Sequence, residues 1–531
     1  MNLDITQVLV FLAITGLIGL MTYWACRGAR KDDDGEKEYF LAGGGLKWYF
    51  VAGSITLTNL STDQLVGMNG RQMALLAWWE LAAVAGLMIL CFLFIPVYYK
   101  YKCTTTTELL EKRYNNKHIR ALISILFLLG NIFIFLPAIL YGGSQFMISM
   151  FGLPDQMVKL PLIGEINPMI LYSSLAFAIV GAAYAIFGGL RAVAVSDTYS
   201  GVLILGLALF ITFVALKAIN FDFSGIPRER LTLIGAPTSD IPFTALFTGM
   251  IFIQIFYWST NQTITQRAMA SPSVKEAQKG IFAAAMIRLL IVPPIIVIPG
   301  IVAYKLYGQI DKDLAYGTIV SALLPTFMSG AFAAAIAAAI LTTFNSILNA
   351  SAALWVCDIH ESYVDKKPNV RKLSFWVSIV MVILGLMMVP FFATQESLIE
   401  TVQKLYGLLS MPILAAFAVG LLFKNVEARA VIIAVIFGVF LYYWMLNPLL
   451  DEKTLAKNCA ALDDLTVNAL CVGLEAKVNF ITQNVRLQYI HLMAINLLVM
   501  VGLALGLNRF VFKQKAVWDA NNVFGKNELP I

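Results

Sequence analysis

The stretch Ala52–Met68, AGSITLTNLSTDQLVGM, lies inside an apolar segment of membrane-spanning length, yet its middle reads Thr-Asn-Leu-Ser-Thr-Asp-Gln. Burying those side chains and a carboxyl in hydrocarbon is costly. The cost is avoided where the helix faces a cavity, or unwinds so that its freed backbone binds something. A broken helix at mid-depth, among many further apolar spans, is the pattern of a membrane transporter.

The rest of the chain fits that class. Of 531 residues, 59% are hydrophobic and 13% are charged, against about 25% charged in soluble domains. Mean hydropathy is +0.77. Apolar runs of about 20 residues predict an all-α polytopic membrane protein with about thirteen transmembrane helices. The first run has no charged leader or small-residue cleavage site and reads as a retained helix. Residues 1–46 hold an extra helix and an inner loop. Residues 47–220 and 242–423 form two groups of five spans, separated by an outer loop at 221–241. Residues 424–531 add peripheral helices, an outer loop at 448–485 and an inner tail. With the N-terminus outside, most of the 38 basic residues fall on the cytoplasmic side, as the positive-inside rule requires. The net charge of +6 follows from this bias and implies no nucleic-acid partner. The expected location is the cell (inner) membrane, in contact with lipid. Cys459 and Cys471 share the 448–485 loop, as a disulfide or as two thiols. Thr104–His118, TTTTELLEKRYNNKH, reads as an amphipathic surface helix capped by threonine and closed by asparagine.

An odd number of spans per group inverts the second group relative to the first. Each group opens on a polar interruption, Thr58–Ser61 in one and Trp258–Gln262 in the other. Matching breaks in two halves point to a midplane site. Gln64, Glu80, Gln254 and Gln403 are polar groups within spans, and Tyr257 and Trp258 stand beside the second break. Amides and a carboxylate next to aromatic faces suit a polyhydroxylated ligand. Any single glutamine has the alternative of an interhelical hydrogen bond. In the ninth span, Thr342, Thr343, Asn345 and Ser346 present oxygens within two turns, and Leu57 and Leu60 offer backbone carbonyls at the first break. A hard monovalent cation takes such ligands. Asp197 reads either as a helix cap or as an exit-side station for a cation. Asp63 faces the cavity or caps the helix, and Arg288 and Lys404 reach an interface or pair with a carboxylate. No metal or nucleophile constellation and no phosphate loop appears, so no enzyme is expected.

Five phrases resemble the sodium/solute symporter family, most of all its bacterial sodium/galactose and animal sodium/glucose branch. They are EYFLAGGGLKW (Glu38–Trp48), NLSTDQLVGMNG (Asn59–Gly70), YAIFGGLRAVAVSD (Tyr184–Asp197), FYWSTNQTITQRAMASPSVKEAQKG (Phe256–Gly280) and TTFNSILNASAALWVCDIHESY (Thr342–Tyr363). The resemblance covers about residues 1–450. It implies two inverted five-helix repeats with discontinuous first helices, and alternating access around a central site. It implies a sodium ion held by Leu57, Leu60, Ala339, Thr342 and Thr343; some members hold a second sodium, at the positions that Asp197, Asn345 and Ser346 occupy here, with Asn345 in place of a hydroxyl. It implies a sugar held by Asn59, Gln64, Glu80, Gln254, Tyr257, Trp258 and Gln403, with Tyr257 as the stacking inner-gate tyrosine. The sialic-acid branch places an arginine where Asn131 stands here; without that clamp a carboxylate is poorly held, which argues for a neutral ligand.

Four departures qualify the match. Leu289 aligns with a lysine of the sugar branch, with Arg288 beside it. Ala83 replaces a polar residue one turn after Glu80. The loop from Gly70 to Glu80 is short, and the sugar branch has a fourteenth span. The expected activity is inward sodium movement driving uptake of a neutral galactose- or glucose-like sugar. The alternatives are a sodium symporter for myo-inositol, an amino acid or a vitamin, and a sensor that binds solute without moving it.

Overall fold

The computed structural model describes residues 5–26, 36–154, 156–160, 164–237, 239–310, 312–446 and 488–519. Cys459 and Cys471 lie outside them. Among these residues ten helices are long and apolar enough to cross a membrane, from Ile5–Cys26 to Tyr489–Phe510. Helices also cover the other three predicted stretches: the short apolar helices Pro168–Ala182 and Gly249–Ser259, and the interrupted pair Trp48–Asn59 and Asp63–Met68. Helices close every backbone hydrogen bond within one segment, so an apolar chain in lipid adopts them.

The helix Thr326–Ala353 runs through the middle and is buried on nearly all sides. Its alanine run makes that burial feasible, because small side chains let neighbouring backbones approach. The first helix, Ile5–Cys26, lies at the rim, with Leu9, Leu12, Leu17 and Leu20 exposed as a lipid face. Gln7 Nε2 donates to Ser329 Oγ at 2.7 Å and ties this helix to the central one.

Two glycines set the packing around the site. Gly189 has φ of 56° and turns the chain between the fifth and sixth spans. A left-handed backbone of this kind favours glycine. At Gly86, a Cβ would lie 2.4 Å from the Gln254 carbonyl oxygen. The third and seventh spans therefore touch backbone to backbone, which sets Glu80 and Gln254 on neighbouring walls.

Two expectations of helix capping do not hold. Thr105, Thr106 and Thr107 are fully buried, and the helix they precede is Glu108–Tyr114, without a side-chain cap. Thr105 Oγ1 donates to Asp358 at 2.6 Å, and Thr107 and Ser124 donate to its other oxygen. Arg120 Nε completes the set at 2.7 Å. A buried carboxylate needs these donors more than a helix terminus does. The closing asparagine is as expected, with Asn115 left-handed at φ 48°. Asp197 is not a cap either. It sits fully buried inside the helix that follows Gly189.

Candidate functional site

The first broken helix ends at Asn59, turns at Leu60 (φ −79°, ψ 74°) and resumes at Asp63 as a single wide turn to Met68. Two carbonyls lose their helical partners there. The amide of Ser61, which would return to Leu57, donates to Asn59 O at 2.9 Å. The amide of Gln64, which would return to Leu60, donates to Ser61 O at 3.2 Å. Leu57 and Leu60 are the residues whose carbonyls the sequence assigns to a cation. Thr343 Oγ1 comes within 3.5 Å of Leu57 O. Thr342 Oγ1 donates to Ala339 O at 3.1 Å on the same helix. The structure therefore brings the break to the side of the central helix that carries these hydroxyls.

Ser346 Oγ lies 3.3 Å from Thr58 Oγ1 and donates to Thr342 O at 2.7 Å. Asp197 accepts from Ser54 Oγ at 2.5 Å and from Thr58 Oγ1 at 3.3 Å. Asn345 is fully buried with neither end of its amide hydrogen bonded. Beside this group stands Arg267, which the sequence reading did not single out. Its guanidinium is fully buried, donates to Ser54 Oγ at 2.9 Å and lies 3.8 Å from Asp197 Oδ2. No sequence signal marked it: that every residue of the short helix Gln262–Met269 is buried is a feature of the packed bundle.

The predicted solute residues line one polar cavity. Asn59, Gln64, Glu80, Gln254, Tyr257, Trp258 and Gln403 all border it, with Asp63, Trp79 and Tyr406. Gln64 Nε2 donates to Glu80 Oε1. Asn59, in the amide orientation that satisfies both its ends, donates to Tyr257 OH at 2.6 Å and accepts from Arg288 at 2.8 Å and from Gln64 at 2.6 Å. Gln254 is fully engaged, donating to Trp79 O and accepting from Trp258 Nε1, each at 2.8 Å.

Of the neighbours Leu289 and Arg288, Arg288 is the one that reaches the cavity wall. Leu289 faces outward. Arg288 points inward, fully buried, and pairs with Glu80 Oε2. It donates to Thr56 O at 2.8 Å and lies 4.5 Å from the Trp258 ring centre. The face of Trp258 beneath Arg288 is thus occupied by a cation. Tyr257 and Phe135 are the aromatic residues that border both this cavity and a second one, and of the two Tyr257 carries a hydroxyl. That second cavity reaches Thr58, Asn131 and Thr343 on the cation side. Asn131 bonds Ser351 Oγ at 2.8 Å. Lys404 pairs with Glu400 at 2.7 Å in a vestibule of about 1010 Å³, which shares Trp79 with the solute cavity.

The second break is built differently. Asn261 caps the helix Gln262–Met269 by accepting from Thr263 N at 2.9 Å, and donates to Tyr406 OH at 2.9 Å. Thr260 Oγ1 donates to Phe256 O at 2.7 Å, and Thr265 Oγ1 to Asn261 O at 2.9 Å.

Freed carbonyls facing hydroxyls, beside a polar cavity deep in an apolar bundle, define a secondary membrane transporter rather than an enzyme. The chain matches the Sodium:solute symporter family over residues 39–438 and belongs to it; sodium is its coupling ion. It is 34% identical over 458 residues to an uncharacterised symporter, YidK, of Escherichia coli K12, covering 82% of this chain and 78% of that protein. It is 28% identical over 493 residues to a sodium/glucose cotransporter of Vibrio parahaemolyticus, covering 85% and 87%. A solved Na+-coupled sialic acid symporter, in a substrate-bound outward-open state, shares the fold. Its TM-score is 0.72 over 95% of this chain and 98% of that one, at 17% identity. The architecture is therefore that of a polytopic core of two inverted repeats with discontinuous first helices.

Proposed function

We propose that this symporter couples inward sodium movement to uptake of a neutral, hydroxyl-rich solute, a galactose- or glucose-like sugar. The carrying observation is the pairing of Glu80 with Arg288 in the wall of the solute cavity. The pair cancels its own charge, so it favours neither an anionic nor a cationic solute. It still leaves amide edges of Asn59, Gln64 and Gln403 along the cavity for hydroxyls, with Tyr257 as the stacking face. Similarity to sodium/glucose and sodium/myo-inositol cotransporters favours the same class.

In this reading sodium joins the carbonyls of Leu57 and Leu60 to Ala339, Thr342 and Thr343, and holds the broken helix against the central one. Asn59 and Gln64 flank the same break, so fixing it also fixes the solute wall. Residues 47–220 and 242–423 are the two repeats. The N-terminus is outside and the C-terminus cytoplasmic, in the cell membrane, and the vestibule next to Trp79 is the outer entry. Ion and solute each favour the state the other needs, and such coupling is reciprocal.

The test is uptake into proteoliposomes of labelled galactose, glucose, myo-inositol and proline, with and without an inward sodium gradient. Sodium-stimulated uptake of a sugar is expected. Sodium-driven proline uptake, with no stimulation of any sugar or inositol, overturns the solute class.

A further inference from the structure

We propose that Asp63 is the countercharge of the transported cation, and that the centre of the bundle takes one monovalent cation per cycle. The inference rests on the reading of Leu57, Leu60, Thr342 and Thr343 as the sodium site, and goes beyond it to the charge that site needs.

Five charged side chains line the two cavities or contact the first broken helix, among the described residues. Three are carboxylates, Asp63, Glu80 and Asp197, and two are guanidiniums, Arg267 and Arg288. Glu80 is met by Arg288 and Asp197 by Arg267. Asp63 accepts from Ser61 Oγ and forms no ion pair among the described residues. One negative charge is therefore uncompensated at a depth where a lone charge is costly.

The cation site has the opposite deficit. Its carbonyl and hydroxyl ligands carry no formal charge, so a sodium ion there is also uncompensated. Asp63 stands three residues after Leu60, and it borders the same cavity as Thr343. Each charge offsets the other in a medium that screens poorly. Asp63 is then a positioning residue, acting through space rather than inside the ligand shell. It also borders the solute cavity, so the ion that settles its carboxylate presents that group to a solute hydroxyl.

The same accounting bears on Asp197, Asn345 and Ser346. A second sodium there would add positive charge where a guanidinium already meets the carboxylate. The unpartnered atoms of that group, Asp197 Oδ1 and both ends of the Asn345 amide, need hydrogen bonds and not charge, which water supplies.

The experiment uses the full chain in lipid nanodiscs with no solute, titrated with sodium and read by tryptophan fluorescence. Asp63→Asn is expected to raise half-saturating sodium at least fivefold while the sodium-to-lithium preference stays within twofold. Asp63→Glu should remain within threefold of wild type. Radiolabelled sodium should bind wild type at one ion per chain. Half-saturation of Asp63→Asn within twofold of wild type overturns the countercharge, and two ions bound per chain overturn the count. The ion count needs no variant and stands even if Asp63→Asn does not fold. Neither measurement depends on the solute, so a failure of the sugar assignment in the uptake assay is a separate result.

Discussion

The two helix breaks have similar polar sequences and opposite uses. At the second, the polar side chains turn back on their own backbone: Asn261 caps the next helix and Thr260 and Thr265 bond carbonyls one turn away. At the first, local donors skip Leu57 and Leu60, and the Leu57 carbonyl faces the Thr343 hydroxyl of another helix. A break that satisfies itself braces the bundle; a break that leaves acceptors open binds. Polar content alone does not separate the two, because the difference lies in which donors reach which carbonyls.

That contrast can be broken first at its charged neighbour. Removing Arg288 leaves Glu80 buried and unpaired beside the first break, and breaking a buried pair costs about 3–5 kcal/mol. Arg288→Ala is expected to lose sodium-driven uptake entirely and to lower thermal stability in detergent markedly. Retained uptake would mean that the pair is not part of the working site. Next comes Thr343→Ala, which removes the hydroxyl facing Leu57. Half-saturating sodium in transport should rise about tenfold, a cost of about 1.4 kcal/mol, and an unchanged sodium curve would remove Thr343 from the cation site.

Gln64→Ala sharpens the division between ion and solute. It deletes the amide that links Asn59 to Glu80, a loss of about 1–3 kcal/mol. The expected result is a several-fold rise in solute KM with a smaller change for sodium; the reverse order would exchange the two roles. Asn261→Ala tests the second break. Loss of its cap costs about 1 kcal/mol, so the melting temperature should fall by a few degrees while half-saturating sodium stays within twofold. A large sodium effect would make both breaks ion sites. Smallest is Lys404→Ala, since the Lys404–Glu400 pair is exposed in the vestibule and such pairs contribute about 0–1 kcal/mol. Uptake should be nearly unchanged.

Much of the site was legible one residue at a time. Polar residues within apolar spans are conspicuous, so Gln64, Glu80, Gln254 and Gln403 stand out, with Tyr257 and Trp258 beside the second break; the family resemblance adds Asn59, and all seven share a cavity. Legibility failed where a side chain's direction mattered. Neighbours on a helix point about 100° apart, so only the structure shows that Arg288 faces the cavity wall while Leu289 faces outward. Arg267 was passed over because one buried arginine has no periodic signature. Thr105–Thr107 looked like caps because threonine before a helix usually is one, and only the arrival of Asp358 from a distant span redirects them.

Composition and the spacing of apolar runs determined the class, a helical membrane protein, because lipid leaves an apolar backbone few other ways to close its hydrogen bonds. The interruptions also stood in the sequence, since glycine, serine and asparagine within a span advertise weakened helix. Only the packed bundle decided which carbonyls remained open, which guanidinium met which carboxylate, and that Asp63 was left over. Those outcomes depend on contacts between residues far apart in the sequence, 70 positions for Arg267 and Asp197 and 208 for Arg288 and Glu80, and such contacts are set by the packing of whole helices.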